Sequence, residues 1–144
     1  MKNSINKINQ WLYDISKDLV LDEDGITGIE RDPQTIAMIE ANDKDDICRF
    51  YAIVCPLPET ETEAGLYTAL ELNRLGLPLG GCWLSWDADI NMLCLCHNLY
   101  IPANDAITFH NALQNFFNAI DIARSELSDH VIEEEKKFNA VEIT

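Results

Sequence analysis

The stretch Gly80–Tyr100, GGCWLSWDADINMLCLCHNLY, holds two tryptophans, three cysteines and a histidine. Its middle, Asp87–Asn91, is largely polar and turn-forming. The runs on either side are rich in residues that suit a pleated surface, so the stretch reads as a β-hairpin. Side chains alternate across a strand. Trp83 therefore points one way and Cys82, Leu84 and Trp86 the other. On the second strand Leu93 and Leu95 share a face, and Met92, Cys94 and Cys96 share its opposite. A sheet that is apolar on both faces is covered on both. One face can go to a core; the other needs a second cover.

Working outward, the segment Pro56–Pro78, PLPETETEAGLYTALELNRLGLP, predicts a helix. Thr60 and Glu63 form a T-x-x-E capping box behind Pro58, with Gly76 and Pro78 as the stop. Ahead of it lie three strand candidates, ITGIER, QTIAMIEA and ICRFYAIV, joined by the turn-rich connectors DP and NDKDD; an antiparallel meander is the simplest arrangement. Residues 4–19 place Ile5, Ile8, Leu12, Ile15 and Leu19 on one helical stripe, with Asn3 or Ser4 as cap. Beyond Pro102, with Asn104 or Asp105 as cap, Ala106, Phe109, Leu113, Phe116, Ile120, Ala123 and Leu127 form a continuous apolar stripe that must lie on a sheet or another helix. The expected fold is a single α+β domain in the order α-β-β-β-α-β-β-α, an antiparallel sheet packed with helices.

The chain has 144 residues, 47% of them hydrophobic, which suits one domain with a true core. A net charge of −15 repels phosphate backbones and anionic lipid, so no nucleic-acid partner and no membrane insertion are expected. A basic or mixed protein surface is the better electrostatic match. No segment reaches transmembrane length, and the N-terminus lacks a signal-peptide pattern. The five cysteines, at 48, 55, 82, 94 and 96, are an odd number without framework spacing, and so are expected to be reduced thiols in a cytoplasm.

The run CLCH invites a metal reading. In a strand, however, Cys94 and Cys96 share a face while His97 points away, and the chain has no C-x-x-C pair. Buried cysteine also behaves as a small hydrophobe. No metal site and no cofactor are expected. His97, His110 and His130 lie beside no nucleophile motif, and there is no G-x-S-x-G, H-E-x-x-H or phosphate loop. The acidic runs DEDG, DKDD and DAD sit in turns, where Asp bonds locally. No catalytic residues are assigned, and enzymatic activity is not expected.

What is left is apolar surface that needs a partner. Either the middle helix covers the second sheet face within the monomer, or a second copy or a bound peptide does. Candidate dimer residues are Leu66, Tyr67 and Leu70 on the middle helix and Trp83 and Trp86 on the hairpin. Candidate partner-binding residues are Ile8, Trp11, Leu12 and Ile15 on the first helix and Ile36, Met38 and Ile53 on the meander. Trp11, at the edge of its stripe, can equally seal the core.

Over residues 4–127 the sequence resembles the type III secretion chaperones of the CesT/SycE-like (Tir chaperone) family. The resemblance rests on three segments: LVLDEDGITGI after the first helix; ALELNRLGLPLGGCWLSWDADINMLCLCHNLYIP, with an A-L-x-x-N helix end, an acidic turn and an L-x-L strand; and FHNALQNFFNAIDIARSEL. Trp83 and Trp86 are bulkier than the family pattern, and the acidic tail has no clear counterpart. The resemblance implies a chaperone-like domain over residues 1–128 followed by an acidic tail, 129–144. It implies a cytosolic bacterial homodimer that holds the N-terminal, unfolded chaperone-binding segment of a secreted effector and keeps it export-competent. It also brings in the secretion-system ATPase as a further partner. Such holding combines strand addition with helices laid in apolar grooves. The YbjN-like regulators share the fold, so a regulator or immunity-type protein binding another partner is the rival reading.

Overall fold

Helix α1, Ser4–Ile15, buries Ile8 and Leu12, which lie one turn apart on its inner face. Asn3 stands at its N-cap, but its side-chain oxygen accepts from Asn6 Nδ2 at 2.8 Å, and Ser4 Oγ donates to the carbonyl of Asp45 at 2.8 Å, so neither caps the helix. The helix ends before Leu19. Ser16 is extended (φ −155, ψ 138), and the chain folds back so that the Leu21 N–H donates to Asn9 Oδ1 at 2.9 Å. The computed structural model describes the backbone of residues 3–57, 62–74 and 78–143, with side chains through 127 apart from residue 62.

Strands β1 (Ile26–Asp32), β2 (Thr35–Glu40) and β3 (Ile47–Pro56) form the expected meander. Helix α2 (Thr62–Leu72) leads to the hairpin of β4 (Trp83–Asp87) and β5 (Met92–Tyr100). Helix α3 runs Ala106–Ile143 after a 3-10 turn at Ile101–Ala103. The proposed capping-box residues Pro58 and Thr60 and the stop at Gly76 lie outside the described residues. The sheet is antiparallel throughout, in the order β1-β2-β3-β5-β4. The hairpin thus enters beside β3 with β5 innermost, and β1 and β4 are left as edges. Element order and fold class are those read from the sequence.

Asp105 starts α3. Its Oδ1 accepts the Thr108 N–H at 2.9 Å while Thr108 Oγ1 accepts the Asp105 N–H at 2.8 Å, a reciprocal pair that satisfies donors the first turn leaves open. The stripe of α3 then lies along β3 and β5, burying Phe109, Leu113, Phe116, Ile120, Ala123 and Leu127. Phe50 is the hub beneath it. Its ring centroid lies 5.8 Å from that of Phe109 and 5.5 Å from that of Phe116, both edge-to-face, the geometry aromatic quadrupoles favour.

Helix α2 packs on α3 and along β4, and α1 packs on α3 and β3. All three helices serve one side of the sheet, the side of Ala37, Ile39, Phe50, Ala52, Leu84 and Leu95, which are buried. The middle helix does not cover the other face.

Candidate functional site: the uncovered sheet face

Strand register aligns the open face into rows. Gly28 opposes Met38, Met38 opposes Tyr51, Tyr51 opposes Cys96, and Cys96 opposes Trp83, one continuous row across all five strands. A second row joins Ile26, Glu40, Arg49 and Asn98. On the other side of the first row, Ile36 and Ile53 are 41% and 45% exposed. The middle of this surface dips into a cleft of about 630 Å³ lined by Ile26, Met38, Tyr51 and Trp83, with Arg49 and Glu40 at its polar side. Trp83 keeps 38% of its surface exposed there.

The polar groups are organised. Arg49 Nη2 bonds Asp45 Oδ2 at 2.7 Å, and Nη1 sits 3.8 Å from Glu40 Oε1, so one cation bridges two carboxylates at the rim. The Tyr51 hydroxyl lies 3.0 Å from Cys94 Sγ and 3.3 Å from Asp87 Oδ2. Burial, then Cys94, pushes the Tyr51 phenol well above its ordinary range. Burial likewise raises the Cys48 thiol to about 12 and the Cys82 thiol to about 11, so these two stay protonated. A protonated, buried thiol is a poor nucleophile and a poor metal ligand. His97 lies on the helix-covered side, 5.6 Å from Phe50, away from Cys94 and Cys96. Among the described residues no three His, Cys, Asp or Glu side chains are grouped to hold a metal ion.

The candidate partner residues divide. Ile36, Met38 and Ile53 lie on the uncovered face. Ile8 and Leu12 have no exposed surface, and Trp11, 9% exposed, stacks obliquely on Phe109 at 5.6 Å. The structure therefore corrects their placement: α3 covers the α1 stripe, and Trp11 seals the core. Ile15 remains at the surface at 36%. On α2, Leu66, Tyr67 and Leu70 are exposed and form a separate apolar patch, where the Tyr67 hydroxyl donates to Glu63 Oε1 at 2.7 Å. Trp86 is exposed at the border of the helix-covered side, its indole N–H donating to Asn91 Oδ1 at 3.0 Å. Tyr51 and Arg49 belong to the open face and were not singled out beforehand. Their signal was the alternation within ICRFYAIV, which puts Arg49, Tyr51 and Ile53 on one side.

A chain with this sheet, these helices and this bare face belongs to the Tir chaperone protein (CesT) family, whose model matches residues 10–124. No curated protein matches it by sequence. Its fold is similar to that of a chain in the ExsC–ExsE complex, at 17% identity and TM-score 0.73, covering 88% of this chain and 97% of that one. It is also similar to a chain of the heterodimeric ExoU–SpcU complex from the type III secretion system of Pseudomonas aeruginosa, at 17% identity and TM-score 0.63, covering 83% and 93%. YbjN from E. coli shares the fold at 17% identity and TM-score 0.59, covering 91% and 94%. Among the described residues no helix is long and apolar enough to cross a membrane.

Proposed function

We propose that this protein is a type III secretion chaperone that binds the N-terminal chaperone-binding segment of an effector and keeps it soluble and export-competent in the bacterial cytoplasm. The observation that carries the reading is the uncovered apolar sheet face in a chain of a chaperone family. Ile36, Met38, Tyr51, Ile53 and Trp83 offer an unfolded segment apolar surface to bury, which is the dominant favourable term in association. Met38 adds a side chain able to adapt to different sequences. The acidic surface draws in basic segments, and no nucleotide is needed for holding. A homodimer formed through Leu66, Tyr67 and Leu70 of α2, with Trp86 of the hairpin, would present two such faces, each with its own Trp83, to one effector. The secretion-system ATPase belongs to the same reading as the acceptor of the loaded complex. The fold shared with YbjN supports the second reading, a regulator that binds a different protein.

The test is co-expression with the first hundred or so residues of a secreted protein encoded beside this gene, followed by light scattering. A soluble complex in which the segment has no fold of its own supports the chaperone. A complex formed only with a folded partner domain supports the regulator.

A further inference from the structure

The strand register builds a slot into the bare face. Tyr51 opposes Cys96 and Cys96 opposes Trp83, so two aromatic side chains flank a small one on the same face. Their strands, β3 and β4, lie two spacings apart with β5 between them, about 10 Å. A planar ring stacked on both walls needs about 3.5–4 Å on each side, which that gap supplies. One wall is fixed by its own bonds: the Tyr51 hydroxyl sits 3.0 Å from Cys94 Sγ and 3.3 Å from Asp87 Oδ2. Cys94, at that contact, is buried, whereas Cys96 is only half-buried. The other wall, Trp83, is one of the residues bulkier than the family pattern.

Two residues on from Cys96, on the same strand and the same face, stands Asn98. It lines the same cleft and is exposed, and its carboxamide has no hydrogen-bond partner among the described residues. A carboxamide offers a donor and an acceptor side by side, and so pairs with an adjacent acceptor and donor on a planar ring. Across from Asn98, Arg49 is already held by Asp45 and Glu40.

We propose that the slot between Tyr51 and Trp83 is a binding site for a small, neutral, planar aromatic molecule whose edge carries an N–H and a C=O side by side, a lactam or aromatic amide, paired with Asn98. The inference stands apart from the chaperone reading. The cleft of about 630 Å³ suits such a molecule, since small-molecule sites run from about 300 to 1,000 Å³ and are mostly apolar with a few polar groups. Charge selects neutrality. An anion meets the field of a chain at −15 and the carboxylates of Glu40 and Asp45. A cation meets Arg49, paired opposite Asn98. A purely apolar ring would take water from the Asn98 amide without replacing its hydrogen bonds, which is costly.

The experiment is an NMR titration of the full chain with isoquinolin-1-one, its N-methyl derivative and 1-naphthoate, following the Trp83 indole N–H, the Asn98 side-chain N–H groups and the Met38 methyl. The lactam should shift all three signals. It should bind about tenfold more tightly than the N-methyl derivative, which keeps the ring and loses the donor, and more tightly than the anion. Trp83→Leu should weaken the lactam by about tenfold. Asn98→Leu, at an exposed position, should erase the difference between the lactam and its N-methyl derivative. No shift at Trp83 and Asn98, equal affinity for the two lactams, or a preference that survives Asn98→Leu overturns the proposal. Signals at these residues that move with protein concentration alone would give the slot to a second copy and overturn it too. None of these outcomes bears on the chaperone reading, which is tested with the effector segment.

Discussion

Arg124, midway along α3, donates from Nη1 to the Thr35 hydroxyl at 2.6 Å, tying the core helix to the start of β2. The same guanidinium reaches the carbonyls of Gln34 at 2.6 Å, Ile53 at 3.0 Å and Val54 at 2.9 Å. One side chain therefore holds the β1–β2 turn and the irregular pairing between Ile53 and Cys55 on β3. Arg suits the task because its rigid fork presents several donors at once. Arg124→Met should lower unfolding stability by about 2–4 kcal/mol, since it removes the donor to the buried Thr35 hydroxyl and to three carbonyls at once. Arg124→Lys should lose less. Urea titration of the variants checks this.

Core and surface should separate cleanly among the candidate binding residues. Leu12→Ala, at a fully buried site, should cost about 2–5 kcal/mol. Ile36→Asp, at an exposed site, should leave stability within about 1 kcal/mol and weaken partner binding. Thermal melts paired with binding titrations distinguish the two; equal losses of stability would contradict the surface described for Ile36.

The order of elements was legible because the signals were local: the 3.6-residue stripe from Phe109 to Leu127, the alternation of ICRFYAIV, and the acidic turn of the hairpin. The bareness of one sheet face was legible as a question, from Trp83 opposing Leu84 in direction. Its answer within the monomer was not, because where α2 packs depends on tertiary contacts with α3 and β4. The same limit explains Ile8 and Leu12. A helical stripe announces that it will be buried, but not whether its cover is its own chain or a partner. Asn73 stood in the sequence as part of an A-L-x-x-N pattern, yet its hydrogen-bond partner, Leu84, lies across a loop that spacing alone does not close.

The α2 patch makes a separate prediction about assembly. Leu70 is 67% exposed, so Leu70→Glu should leave the fold intact. A charge placed in an apolar interface loses its water, which is costly. The proposed dimer predicts that the unaltered chain sediments at twice the 16.3 kDa monomer mass and that the variant sediments at the monomer mass. Identical sedimentation of the two would remove α2 from the interface.

Stability should fall on mild acidification because of His97. Burial lowers its pKa below the ordinary 6.5, only partly offset by a hydrogen bond with the Gly81 backbone. As pH falls below about 6.5 the unfolded chain takes up this proton first, so stability drops until the folded-state pKa is passed. The full stability is present above 6.5. Asp32, Asp105 and Asp121 are held below the ordinary 3.8, so their protonation falls in a separate, more acid window. His97→Gln should flatten the slope between about pH 5 and 7, measured by denaturant titration across that range.

The central claim is that the bare sheet face takes an unfolded effector segment by burying apolar surface. Calorimetric titration of that segment into the chain, repeated over temperature and salt concentration, tests it most directly. The account predicts a clearly negative heat-capacity change and binding that largely survives raised salt despite the net charge of −15. A heat-capacity change near zero, with affinity collapsing as salt rises, would contradict it and make the acidic surface, not the apolar face, the place of docking.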